Sequence, residues 1–282
     1  MLKQRILTAL VLAPLVVAGI FLLPFSGFML AIAGITLVGF WEWTQFVNTR
    51  SRLLAMVPPV LVLLASFLAL PADAIELGNL QFPHHIMLAA GGVWWLFACL
   101  LVVTYPNQSG FWVGSTTLRY LFGLLTLIPF FWGVVMLRAV NYAEAPYLGA
   151  KLVMLVCLLV WAADSGAYFA GKRFGRHKMA PRVSPNKTLE GLAGGVVLAV
   201  VVAWATAELF GITFNNSGAL LVTVVLTVIA SVFGDLAESM LKRVSGIKDS
   251  GQILPGHGGI LDRIDSLTAA LPVFALLYLW LI

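Results

Sequence analysis

The chain is 282 residues long, 61% apolar and only 10% charged, with a formal net charge of +5 and a mean hydropathy of +0.98. These proportions exclude an ordinary soluble domain, in which about a quarter of the residues are charged. They also point away from a transmembrane barrel, whose strands alternate over ~10 residues, because the apolar runs are continuous, as in Val222-Thr223-Val224-Val225-Leu226-Thr227-Val228-Ile229-Ala230.

The expected fold is therefore an all-α polytopic membrane protein. A bilayer core of ~30 Å takes ~20 helical residues, and the sequence predicts about nine spans, over residues 6–23, 25–40, 53–70, 86–104, 118–137, 152–171, 189–207, 218–236 and 266–282. The first follows Lys3 and Arg5. It is longer than a signal-peptide core and no clean cleavage site follows, so it reads as a retained helix. His84 and His85 fall in an external loop as solvated neighbours, and Cys99 and Cys157 fall inside apolar runs as packing residues.

Nine spans put the termini on opposite sides. With the N-terminus in the cytoplasm, 15 of the 17 basic residues face inward and only Arg138 and Lys151 face outward, as the positive-inside bias requires. Topology and attraction to anionic lipid headgroups then account for the net charge, and nucleic acid is not among the expected partners. Residues 1–150 supply about five spans. Residues 151–282 supply the rest and carry two polar cytoplasmic loops, 172–190 and 236–265, which hold most of the ionisable groups.

In chain order, the first acid of interest is Asp164, seven residues before Gly171, or about 10 Å along a helix. An intramembrane carboxylate is a functional candidate by default. In Ser184-Pro185-Asn186-Lys187-Thr188-Leu189-Glu190-Gly191, Ser184 is expected to cap a helix with Pro185 at its first position. Asn186 and Lys187 would then sit in the first turn as an anion site, with Lys187 a phosphate ligand. Further on, Asp235, Glu238 and Lys242 recur at i, i+3 and i+7 on one helical face.

The segment Leu254-Pro255-Gly256-His257-Gly258-Gly259-Ile260-Leu261-Asp262-Arg263-Ile264-Asp265 leads into the last span. Asp262 and Asp265 share a helix face on the same membrane side as Asp235. Such carboxylates cannot all ionise in a low-dielectric place without a cation, and Mg²⁺ suits oxygen ligands completed by water and substrate phosphates. Gly256, Gly258 and Gly259 would let backbone N–H groups approach a phosphate at the helix start. Lys242, Arg243, Lys248 and Arg263 add charge that a polyphosphate would neutralise. The pattern points to metal-assisted phosphoryl or nucleotidyl transfer at a membrane surface.

The 27 residues from Ser239 to Asp265, with Ser239, Lys242-Arg243, Lys248-Asp249 and Leu254-Pro255-Gly256-His257-Gly258-Gly259 through Asp262-Arg263-Ile264-Asp265, resemble the signature of the phosphatidate cytidylyltransferase family, also called CDP-diacylglycerol synthases. Residues 184–191 and 164–171 are similar to that family too. The resemblance implies transfer of a cytidylyl group from CTP to phosphatidic acid, dependence on Mg²⁺, a homodimer, and the bacterial inner membrane. On that reading Asp235 and Asp262 hold the metal, with Asp164 near the same cavity. Asp265 and Asp249 orient ligands or bind a second cation. Ser184, Asn186, Lys187, Lys242, Arg243, Lys248 and Arg263 bind substrate, and His257 with Gly258 and Gly259 contacts a phosphate or fixes the loop. A secondary transporter using Asp164 and Asp235 for a coupling ion is the rival from another class. Against it, the acids and bases gather in two loops on one face.

Overall fold

The computed structural model describes residues 2–47, 49–68 and 83–281, without the side chains of residues 2–7, 9 and 83–85. The helices are α1 (Leu2–Leu22), α2 (Phe25–Trp43), α3 (Arg52–Ala55), α4 (Val57–Leu68), α5 (Pro83–Thr104), α6 (Gly110–Val113), α7 (Thr116–Ala139), α8 (Leu148–Phe174), α9 (Leu189–Phe210), α10 (Ser217–Val244) and α11 (Leu261–Leu281). A two-stranded hairpin, β1 (Lys178–Ala180) with β2 (Ser184–Thr188), stands between α8 and α9. The protein is thus helical and polytopic. Among the described residues, seven helices are long and apolar enough to cross a membrane, namely α2, α5 and α7 to α11, and two shorter apolar helices cover residues 10–22 and 52–68. The expected histidine pair lies outside the described side chains.

Helix α7 is the axis of the bundle and is buried from Thr126 through Ala139. Helices α2, α5 and α11 pack directly on it, α10 packs on α11, and α8 pairs with α9. The α8–α9 pair is close because small residues face each other. A Cβ on Gly166 would stand 2.6 Å from the Gly194 carbonyl oxygen, the kind of approach that membrane helices use in place of hydrophobic contrast. One apolar cluster draws on α2, α5, α7, α10 and α11 together, so residues 1–150 and 151–282 share a core.

The two ends of the bundle are chemically unlike. At one end the contacts are few and mostly backbone-directed. Arg138 donates to the Pro146 carbonyl at 2.9 Å, Lys151 to the Phe210 carbonyl at 2.8 Å, and Asn215 to the Leu281 carbonyl at 2.7 Å. The other end carries the hairpin, the C-terminal ends of α2 and α10, and the segment between α10 and α11.

One expectation at this polar end changes. The expected cap at Ser184 is replaced by strand: Ser184–Thr188 is extended and paired with β1. The helix begins at Leu189 with Thr188 as its cap, its hydroxyl accepting from the Gly191 N–H at 3.1 Å. Proline disfavours a helical conformation in the residue before it, which keeps Ser184 extended. Glu190 then closes the hairpin by accepting the backbone N–H groups of Arg176 and His177 at 3.0 and 3.2 Å, with its other oxygen 2.6 Å from His177 Nδ1. Helix α10 continues past the expected span end at residue 236 to Val244, as a helical face through Asp235, Glu238 and Lys242 requires. Replacing the cap, Thr188→Ala, should lower stability by about 1 kcal/mol, read as a lower thermal midpoint in micelles.

Candidate active site

Two lysine–carboxylate pairs form the centre of the polar end. Lys187 of β2 reaches Asp235 Oδ2 on α10 at 2.8 Å and also donates to the Val232 carbonyl at 3.3 Å. Lys242, two turns further along α10, reaches Asp262 Oδ1 on α11 at 2.8 Å and Glu238 Oε2 at 3.2 Å. Asp235 Oδ1 accepts from Ser239 Oγ at 3.1 Å. The helix face expected from the i, i+3, i+7 spacing is therefore present.

Asp265 stands one turn beyond Asp262 on α11, beside the crossing with α10. A Cβ on Gly234 would lie 2.7 Å from the Asp265 carbonyl oxygen. Asp265 lies in the field of Asp235 and within side-chain hydrogen-bonding reach of Glu238. Glu238 is buried, and its Oε1 has no donor. Asp164 lines a cleft of about 290 Å³ together with Tyr168, Ser184, Asn186, Lys187 and Leu192, within the field of Lys187 and Asp235. The cleft thus gathers apolar side chains together with the charged groups of the hairpin and of α8.

The glycine turn is built differently from the expected phosphate cradle. Gly256 and Gly258 have φ of 75° and 83°, the left-handed region that glycine enters without strain. The N–H groups that follow are already satisfied by the protein's own carboxylates. Asp262 Oδ2 accepts from Ser250 N at 2.9 Å and Gly259 N at 2.8 Å. Glu42, from the end of α2, accepts from Ile260 N at 3.1 Å, Leu261 N at 2.7 Å and Ser250 Oγ at 3.2 Å. Anions do favour a helix start, and here Glu42 is the anion. Gly259 has no room for a side chain, since a Cβ would lie 2.6 Å from Glu42 Oε1.

Of the remaining expected site residues, Arg243 donates through Nε to the Val183 carbonyl at 3.4 Å and so touches the hairpin. Lys248 and Asp249 line a second cleft and join neither lysine–carboxylate pair. His257 Nδ1 is buried without a partner, and Arg263 is exposed on the first turn of α11. Sequence reasoning passed over Glu42, Gln45 and Ser250. Gln45 donates to the Ser250 carbonyl beside the Glu42 contacts. The available signal was Glu42 itself, a carboxylate at the end of an apolar span, between Trp41 and Trp43, where an acid is costly unless it has a task.

The donor set suits Mg²⁺ in its open form. Among the described residues no group of three or more His, Cys, Asp or Glu side chains is arranged to hold a metal ion, so there is no all-protein cage. Mg²⁺ commonly binds through one or two carboxylates and takes the rest of its shell from water and substrate phosphates. Asp235, whose two oxygens are held by Lys187 and Ser239, and Asp265 and Glu238 beside it are hard donors of that kind. Both oxygens of Asp262 are engaged by Lys242 and backbone N–H groups.

The model of the cytidylyltransferase family matches residues 3–281 of the chain. A phosphatidate cytidylyltransferase of Haemophilus influenzae is 43% identical over 288 aligned positions, covering 100% of both chains. One of Pseudomonas aeruginosa is 45% identical over 99% of this chain and 97% of its own. One of Bacillus subtilis is 34% identical over 96% of this chain and 95% of its own.

Proposed function

The chain belongs to the cytidylyltransferase family and is a nucleotidyltransferase; from that premise we propose that it transfers the cytidylyl group of CTP to phosphatidate, giving CDP-diacylglycerol and pyrophosphate. The observation that carries this reading is the placement of two lysine–carboxylate pairs, Lys187–Asp235 and Lys242–Asp262, at the polar end of an apolar bundle. Lys187 of the first pair lines a cleft that also holds Tyr168 and Leu192. A lipid whose headgroup must meet a water-borne nucleotide needs this combination of charge and apolar wall.

The chemistry asks little acid–base work of the protein. A phosphate oxygen of phosphatidate attacks the α-phosphorus of CTP. The bond from that phosphorus to the oxygen bridging to the β-phosphate breaks, and pyrophosphate leaves with the electron pair. The nucleophile is already ionised, so rate comes from alignment and from charge placed around the α-phosphorus. Lys187 and Lys242, each held by a carboxylate, can turn to phosphate oxygens while Asp235 and Asp262 keep them in register. Asn186 and Ser184 add neutral donors at the cleft rim.

Mg²⁺, held by Asp235 with Asp265 and Asp164 at hand, would neutralise charge shared between the two reactants. Asp262 would join that set when Lys242 moves to a substrate phosphate, and a second cation would fall to the same carboxylates.

We place nine crossings in the bilayer, with the N-terminus in the cytoplasm and the C-terminus outside. Arg138 and Lys151 at the end opposite the site support this, as does the gathering of the other described basic residues outside the α1 segment around the polar end. A bacterial inner membrane and a homodimer follow from the family resemblance and complete the proposal.

The test uses purified protein in micelles with phosphatidate and nucleotides labelled in the α-phosphate. Label should pass from CTP into lipid and should stop when a chelator removes divalent cations. Labelling from no nucleotide, in protein shown to be folded, overturns the reading.

A further inference from the structure

Lys248 and Asp249 belong to the same signature segment as the central pairs, yet they line a different space. With Trp41, Gln45, Arg52 and Gln252 they surround a cleft of about 550 Å³ between the end of α2, the start of α3 and residues 247–253. It shares no lining residue with the Lys187–Asp164 cleft. Its volume falls within the ~300–1,000 Å³ of small-molecule sites, and its walls are mostly polar and charged where those of the other cleft are more apolar.

One wall is rigid and flat. The Arg52 guanidinium lies 4.2 Å over the Trp41 ring, and its Nε donates to Thr44 Oγ1 at 2.7 Å, so the indole is held in place from one side. The lining also includes Gln252, Lys248 and Asp249, all exposed. Cytosine carries an amino donor beside ring-nitrogen and carbonyl acceptors along one edge, and a carboxylate with carboxamides and cations is the matching set of partners. An aromatic face beside that set is how proteins commonly hold a base.

The cleft is also one residue away from the reaction centre. A Cβ on Gly258 would stand 3.4 Å from Asp249 Cβ and 2.6 Å from Asp262 Oδ2, so Gly258 lies between Asp249 and the carboxylate that holds Lys242. Ser250, the neighbour of Asp249, donates its N–H to that same carboxylate. A nucleoside seated against Trp41 and Gln252 would therefore direct its phosphates toward Lys242.

We propose that this cleft seats the cytidine end of the nucleotide, leaving the Lys187–Asp164 cleft to the phosphate of the lipid. The assignment rests on the cytidylyl-transfer reading and extends it, because it divides the two substrates between two clefts and gives Lys248 and Asp249 a place.

The test compares wild type with Trp41→Leu and Gln252→Ala in the labelled-nucleotide assay, varying CTP and phosphatidate separately. The KM for CTP should rise about tenfold or more in Trp41→Leu and less in Gln252→Ala, with the KM for phosphatidate unchanged in both. An unchanged KM for CTP in both variants, or a rise confined to phosphatidate, overturns the proposal.

A second measurement does not depend on turnover. The exposed Gln252→Cys variant is labelled with a charged maleimide, against native thiols of which Cys157 is buried and Cys99 half-buried within a span. CTP should protect the introduced thiol at lower concentration than ATP, and phosphatidate should not protect it. Equal protection by ATP, or none by CTP, overturns base recognition in this cleft. Wild-type protein that moves no label from CTP overturns the cytidylyl-transfer reading itself, whereas wild-type transfer with unaltered variants overturns only the cleft assignment.

Discussion

Asp262→Asn should abolish turnover, with a loss of at least about 10²–10³-fold, while the protein remains folded and inserted. The reason is the division of labour between the two carboxylate oxygens. Oδ2 accepts from the N–H groups of Ser250 and Gly259, and Oδ1 faces Lys242 at 2.8 Å. An asparagine can keep its single carbonyl oxygen on the two backbone donors, so the glycine turn survives. Its amide nitrogen then meets Lys242 donor to donor, and the lysine is left with Glu238 alone.

The change removes the charge that sets Lys242 in place and one of the carboxylates assigned to the cation, and both act on the α-phosphorus. Stability should fall by only about 1–3 kcal/mol, the scale of a buried polar group losing one partner. Asp262→Ala is the comparison, since it also strips Ser250 and Gly259 of their acceptor and should be less stable than the asparagine variant. Initial rates under saturating CTP and phosphatidate, alongside a thermal melt in the same detergent, separate the two effects. Near-normal turnover in Asp262→Asn would take its charge out of the mechanism.

The helical bundle and its acidic face were legible because each depends on short-range regularity. Continuous apolar runs announce spans, and the spacing of Asp235, Glu238 and Lys242 announces a face, since both are local properties of a 3.6-residue period. The hairpin was not legible for an equally physical reason. Ser-Pro before an apolar run serves as a helix start in many contexts, and only the pairing of Ser184–Thr188 with Lys178–Ala180, together with the hold of Glu190 on Arg176 and His177, selects the extended form. Lys187 reaches Asp235 from a strand instead of a helix turn.

The glycine turn shows the limit most clearly. Its composition describes a backbone able to face a phosphate, and in the structure the group at that helix start is the Glu42 carboxylate. Which anion could not be read locally, because Glu42 lies 218 residues before Ile260 and 219 before Leu261 in sequence. The same distance explains why residues 1–150 looked like plain membrane scaffold. Among the described residues, their contribution to the polar end centres on the buried acid Glu42, with Trp41, Gln45 and Arg52 beside it, without a run or motif to mark them.

Glu42→Gln should therefore damage a signature segment with which it shares no local sequence. The Glu42 carboxylate is almost fully buried, at 1% exposure. Its Oε2 accepts from Leu261 N and Ser250 Oγ, and Oε1 accepts from Ile260 N. Glutamine has one acceptor oxygen for these donors. If the oxygen stays with Leu261 and Ser250, the amide nitrogen is forced against the Ile260 N–H, and a buried donor left unsatisfied costs about 1–3 kcal/mol. Loss of the negative charge from the first turn of α11 adds about 0.3–1 kcal/mol, toward ~2 in a buried setting.

The catalytic consequence runs through Ser250. Its hydroxyl bonds Glu42 and accepts from the Asp262 N–H at 3.2 Å, and its own N–H bonds the Asp262 carboxylate, so a shift of Ser250 moves the group that holds Lys242. Glu42 acts here as a positioning residue. The expected outcome is a kcat reduced about tenfold or more, since misplacement of about 1 Å at a reacting centre can cost as much as 10²-fold, with a raised requirement for Mg²⁺ and only a modest change in the KM for phosphatidate. Shortening the side chain in Glu42→Asp keeps the charge but withdraws it by one methylene, and should recover part of the stability and less of the kcat. A Glu42→Gln protein with the melting point, kcat and Mg²⁺ dependence of wild type would show that α11 and the glycine turn hold their geometry without α2, and that the clamp between the two halves of the chain contributes nothing to catalysis.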